Sequence, residues 1–123
     1  MCRLTGPEEY LRRLSAEMID RYRGDCLKHA RQLQALLRGD GRSPWLGRLR
    51  KVEKREAATF HAPLIPARFL GRAAPTWTTH YVCCCDGRAY DPLVGVPIPL
   101  ERYSVTVFGE DIEITRLEPD SHS

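Results

Sequence analysis

Three residues of this chain have the types and the order that thiol chemistry requires: Cys26, His80 and Asp91. A cysteine attacks as its thiolate, and the first turn of a helix favours that form through the helix dipole and the unpaired backbone amides. Cys26 takes such a place if Gly24 ends one helix and Asp25 caps the next. A histidine oriented by a carboxylate is the general base, and later the general acid, that a cysteine nucleophile uses. Asp86-Gly87, set between two runs of β-formers, is a two-residue turn signal of the I′ type. It fixes a register in which Cys85 faces Arg88, Cys84 faces Ala89, Cys83 faces Tyr90 and Val82 faces Asp91. His80 and Asp91 are then diagonal neighbours on one sheet face, within reach of a side-chain hydrogen bond. Pro92 biases Asp91 toward the extended conformation that keeps its carboxylate there. A slip of one residue would send the two to opposite faces, so the pair depends on the turn.

The elements that must carry these residues are legible in part. Thr5, Pro7 and Glu8 mark a helix start, and Leu11, Leu14 and Met18 continue an apolar stripe to about Arg21. A second helix is expected from the Asp25 cap through Leu37, with Cys26, Ala30, Leu33 and Leu37 on one face. Leu46 to Thr59 reads as one strand or a short helix. Phe60, Leu64, Ile65, Phe69 and Leu70 suggest short extended pieces between prolines. Thr78–Cys85 and Arg88–Asp91 form the hairpin. Tyr103–Phe108 and Ile112–Leu117 read as two further strands around Gly109-Glu110-Asp111. The 123 residues suit one domain with a single core, of α+β class: N-terminal helices packed on an antiparallel sheet.

The order of a helix-borne cysteine, then a strand-borne histidine and aspartate, carries a resemblance. Gly24-Asp25-Cys26, Ala30, Leu33 to Leu37, Thr79-His80-Tyr81-Val82, Asp86-Gly87 and Tyr90-Asp91-Pro92 resemble the papain-like fold toxin domains of bacterial polymorphic toxin systems. The resemblance implies a papain-like core over about 22–108, with Cys26 as nucleophile, His80 as base and Asp91 as its orienter. It also implies a peptidase, deamidase or transglutaminase-like activity on a protein substrate, and an immunity protein or inhibitor as partner. Asp20, Arg21, Tyr22 and Arg23 offer no amide side chain before the nucleophile. An oxyanion hole would therefore use the backbone N–H of Cys26 and a second donor.

Composition narrows the alternatives. No apolar run approaches the roughly 20 residues of a membrane-spanning helix, and the first residues lack the apolar core of a signal peptide. A cytoplasmic protein, or one delivered by a specialised route, is expected. Arg38–Arg72 holds nine basic and three acidic residues, Ala73–Ser123 three and eight. No RNA-binding or zinc-finger pattern accompanies the basic stretch, so nucleic acid is not expected as a partner. Five cysteines, three of them adjacent at Cys83, Cys84 and Cys85, do not form a disulfide framework. On a strand Cys83 and Cys85 face away from His80 and Cys84, which leaves no convergent metal ligands and no expected metal or cofactor. The adjacent cysteines read as packing residues, His29 as a helix-surface residue, Trp77 as core or pocket wall, and Trp45 as part of a groove or partner contact in a polar loop. The competing functional reading is a non-catalytic interaction module in which Cys26 is only a core residue.

Overall fold

Apolar residues at three- and four-residue spacing build the first two elements. A computed structural model describes residues 6–17, 26–55, 58–62, 64 and 78–117. Helix α1, Pro7–Glu17, opens on proline, whose missing N–H costs nothing at that position, and buries Leu11 completely. Helix α2, Cys26–Gly39, buries Ala30, Leu33 and Leu37. The expected caps Thr5 and Asp25, the continuation of α1 beyond Glu17, the Asp20–Arg23 segment, Cys2, Trp77 and the extended pieces at Ile65, Phe69 and Leu70 lie outside the described residues.

The strands follow as β1, Trp45–Leu49; β2, Lys51–Arg55; β3, Ala58–Ala62; β4, His80–Cys85; β5, Arg88–Tyr90; β6, Ile98–Pro99; and β7, Ile114–Arg116. Five of them form one antiparallel sheet in the order β6-β5-β4-β1-β7, and β2 and β3 pair separately as a hairpin. The stretch Leu46 to Thr59 is therefore two strands and the start of a third, where a single strand or short helix was expected. The break falls at Arg50, whose side chain leaves the sheet to donate to Thr79 Oγ1 at 3.1 Å.

Strand β4 is covered on both faces, which explains its cysteine run. Cys83 and Cys85 pack with Leu11, Ala30, Leu33, Leu37 and Tyr90, on the side of α1 and α2. Val82 and Cys84 point the other way, into a core with Leu49, Ala89, Leu93, Tyr103, Val107 and Phe108. A central strand buried on both faces takes a continuous apolar run, and cysteine is small enough to admit close neighbours on each side.

Residues Tyr103–Phe108 are not a strand. They belong to helix α3, Leu100–Phe108, which buries Tyr103, Ser104, Val107 and Phe108. That is helical spacing. Val105, Thr106 and Val107 are β-branched and read as strand formers, but Pro99 before the helix and Gly109 after it punctuate a helix. Gly109 closes it at φ 75°, donating its N–H to the Val105 carbonyl. The following strand is shorter than expected, because Ile112 turns into the core and donates its N–H to Ser104 Oγ at 3.0 Å. Trp45 is also not in a polar loop. It opens β1, packs against the core, and lies under the Arg116 guanidinium, 5.1 Å from its ring centroid.

Gly47 is where the sheet tolerates no side chain. A Cβ there would stand 2.6 Å from Ile114 Cγ2 and 3.3 Å from Val82 Cγ1, on the two strands that flank β1. Gly47→Ala is expected to cost about 1–3 kcal/mol through overpacking, measured as a lower urea midpoint at unchanged slope.

Candidate active site

Helix α2 and strand β4 run in the same direction with matched lengths. Fourteen helical residues at about 1.5 Å each and six strand residues at about 3.3 Å each both span about 20 Å. At one end, Arg42, just past α2, donates from Nη2 and Nε to Asp86 Oδ2 in the hairpin turn, at 2.7 and 2.9 Å. Its guanidinium also lies 5.8 Å from the Tyr90 ring centroid. With the C-terminal end of the helix tied to the hairpin tip, its first residue is brought to the opposite end of β4. There Cys26 meets His80.

The hairpin supplies the rest of the site. Asp86 and Gly87 have φ of 53° and 75°, the two positive values that a I′ turn demands. The pairs Cys85 with Arg88, Cys84 with Ala89 and Cys83 with Tyr90 form as the turn dictates. Asp91, one residue beyond β5, therefore reaches His80 diagonally. Nε2 of His80 and Oδ2 of Asp91 are 2.7 Å apart, and both side chains are 1% exposed.

Asp91 is held from three further directions. Its Oδ1 accepts the Leu93 N–H at 2.9 Å, and its carbonyl accepts the Val94 N–H at 2.8 Å. This is an Asx turn built on Asp-Pro-Leu-Val, a conformation that proline after aspartate favours. The hydroxyl of Tyr103, from α3, donates to Oδ2, the oxygen that also serves His80. Phe108, five residues further along α3, stands edge-on to both rings, with centroids 5.6 Å from His80 and 6.4 Å from Tyr103.

No family model, curated protein or solved structure matches the chain. Burial by itself disfavours a charged imidazole at His80, but the Asp91 charge and hydrogen bond, followed by interaction with the Cys26 side chain, raise its pKa to about 9. Burial would likewise raise the Asp91 carboxyl. The charge and hydrogen bond of His80, the Tyr103 hydroxyl and the Leu93 amide together hold it below the ordinary carboxylate range. The pair is thus an imidazolium and a carboxylate at neutral pH. With Nε2 engaged by Asp91, Nδ1 is the ring nitrogen left for the interaction with the Cys26 side chain.

The cysteines divide into two kinds. Burial pushes Cys83 up to about 12 and raises Cys84 and Cys85 as well, so all three are protonated and inert at neutral pH. Cys26 is half-buried, which separates it from the core residues that share its helix face. His29, expected at the helix surface, is half-buried too, because its ring follows the flank of α2 and not its outer face. Among the described residues no three His, Cys, Asp or Glu side chains are grouped to hold a metal ion, and no helix is long and apolar enough to cross a membrane.

The structure brings Cys26, His80 and Asp91 together and adds Tyr103, which reading the sequence missed. The signal was present in Pro99, Gly109 and the spacing of Tyr103, Val107 and Phe108. The β-branched residues between them concealed it.

Proposed function

We propose that this protein is a cysteine-dependent acyl-transfer enzyme of the peptidase or deamidase type. The observation that carries the reading is the arrangement at the end of β4: a half-buried thiol on the first residue of a helix, against an imidazole whose far nitrogen is held by a buried carboxylate. A histidine buried only for packing needs no charged partner, and burying an ion pair is costly. The readiest compensation for that cost is chemistry at the thiol.

In the proposed cycle His80 holds the proton of Cys26, and the thiolate attacks the carbonyl carbon of an amide. The negative charge that develops on the carbonyl oxygen is met by backbone N–H groups of the first turn of α2, which lack intrahelical acceptors. The C–N bond breaks as His80 protonates the leaving nitrogen, and Cys26 is left as a thioester. Water, deprotonated by His80, attacks that carbonyl and releases the acid and the thiol. Ammonia as the leaving group gives deamidation, an α-amine gives peptide hydrolysis, and an amine in place of water gives transfer. Asp91 keeps the ring in the tautomer and orientation that both proton transfers require.

The amide that the thiolate attacks is proposed to belong to a protein substrate. A papain-like core, a role as a delivered bacterial effector or toxin, and restraint by an immunity protein belong to the same proposal, supported by the order of Cys26, His80 and Asp91 in the chain.

The test needs no natural substrate. Incubation with p-nitrophenyl acetate should give a burst of p-nitrophenolate and a transient acetyl thioester on Cys26, located by peptide mass analysis. Cys26→Ala should abolish the burst while retaining the wild-type unfolding midpoint. Acetylation elsewhere, or a folded Cys26→Ala protein with an unchanged burst, would overturn the proposal.

A further inference from the structure

Tyr103 contributes the least expected contact of the site. It is fully buried, comes from α3 and not from the helix or hairpin that carries the other three residues, and places its hydroxyl on the carboxylate oxygen already used by His80. A buried tyrosine needs one acceptor for its O–H, and a backbone carbonyl would serve. Aiming it at Asp91 Oδ2 has a consequence for the histidine.

We infer that Tyr103 is a positioning residue that tunes His80: by sharing Oδ2, its hydroxyl limits how strongly the carboxylate holds the imidazolium proton. A carboxylate with fewer donors concentrates its charge on the remaining one and stabilises the imidazolium further. For an acyl-transfer cycle the balance matters, because His80 must accept a proton and then give it to the leaving nitrogen, and an imidazolium held too tightly is a poor acid. The inference rests on the proposed function for its purpose but not for its physics. The groups facing the pair are Cys26 from α2, Cys84 from β4 and Tyr103 from α3. Of these the hydroxyl of Tyr103 is the donor that reaches Oδ2 beside His80. Leu93 occupies the other oxygen and fixes the rotamer, so removing the tyrosine hydroxyl leaves Asp91 in place.

The experiment is a titration of the His80 imidazole by carbon NMR in the full-length protein, assigned with His80→Gln. Tyr103→Phe should move the His80 pKa upward by roughly half a unit or more, and should shift the pH profile of Cys26 alkylation by iodoacetamide to lower pH. Replacing Tyr103 with 3-fluorotyrosine keeps the ring and the hydroxyl but makes the latter a stronger donor. It should move the His80 pKa down, and it tests the same sharing if the phenylalanine variant fails to fold. A purely structural tyrosine would lower the unfolding midpoint in Tyr103→Phe and leave the titration where it was. An unchanged or lowered His80 pKa in folded Tyr103→Phe, or no downward shift with fluorotyrosine, overturns the inference. An unreactive Cys26 together with the expected His80 shifts would overturn the proposed function and leave the tuning established.

Discussion

Asp91→Ala is expected to destabilise the protein by about 3–5 kcal/mol at pH 5.5, because it leaves a buried imidazole without its counter-charge. The loss should be pH-dependent, with a sign that the pair dictates. The pKa of His80 rises from 6.5 in the unfolded chain to about 9 in the fold. Its contribution is fully present below pH 6.5 and disappears as pH rises through 9. Asp91 is shifted the other way, so its contribution is present above its unfolded value of 3.8 and disappears as pH falls through the lower folded value. The pair therefore stabilises most between about pH 4 and 6.5. The difference between wild type and Asp91→Ala should narrow by about 3 kcal/mol between pH 6.5 and 9.5. Urea unfolding at pH 5.5, 7.5 and 9.5 measures it. A difference that stayed constant across that range would mean that His80 is neutral in the folded protein.

Exposed pairs do not behave this way. Lys51 Nζ and Glu110 Oε2 are 2.8 Å apart with both side chains partly in water, and such pairs contribute at most about 1 kcal/mol. The contrast lies in burial: His80 and Asp91 have no solvent to fall back on, so the protein either keeps both partners or loses much of its stability.

The hairpin that aligns His80 and Asp91 was legible because Asp86-Gly87 specifies one turn, and the turn specifies the register of every pair behind it. Helix α2 was legible because Ala30, Leu33 and Leu37 repeat along one face with no competing strand signal. Helix α3 was not, since Val105, Thr106 and Val107 favour a strand locally while the helix is selected by what it covers: Tyr103, Val107 and Phe108 fill the face of the sheet that carries Val82 and Cys84. Tertiary packing decided against local preference. The same holds for Trp45, which follows the loop residues Gly41, Ser43 and Pro44 and yet opens a strand, because β4 and β7 pair with β1 on either side. For the site, residue type and register placed Cys26, His80 and Asp91. Tyr103 could be found only with α3 in place, because it is distant from the motif and ordinary as a residue.

The second large effect concerns the thiol. A cysteine at the ordinary pKa of about 8.5 is only a few per cent thiolate at pH 7, whereas a helix N-terminus and a neighbouring imidazolium hold a thiolate at much lower pH. His80→Ala removes the imidazolium and leaves the helix. Alkylation of Cys26 at pH 6 should then fall by roughly tenfold or more, with its midpoint returning toward 8.5. Asp91→Asn should give an intermediate result, because an amide still orients the ring but no longer favours its charged form.

The pH profile of iodoacetamide alkylation, with each modified cysteine located by peptide mass analysis, tests the activated thiol most directly. Labelling concentrated at Cys26, with a midpoint well below 8.5 that reverts in His80→Ala, and with Cys83, Cys84 and Cys85 unmodified while the protein stays folded, is the result predicted. Slow labelling of Cys26 with an ordinary midpoint, the same in wild type and His80→Ala, would contradict it and reduce the His80–Asp91 pair to a structural feature.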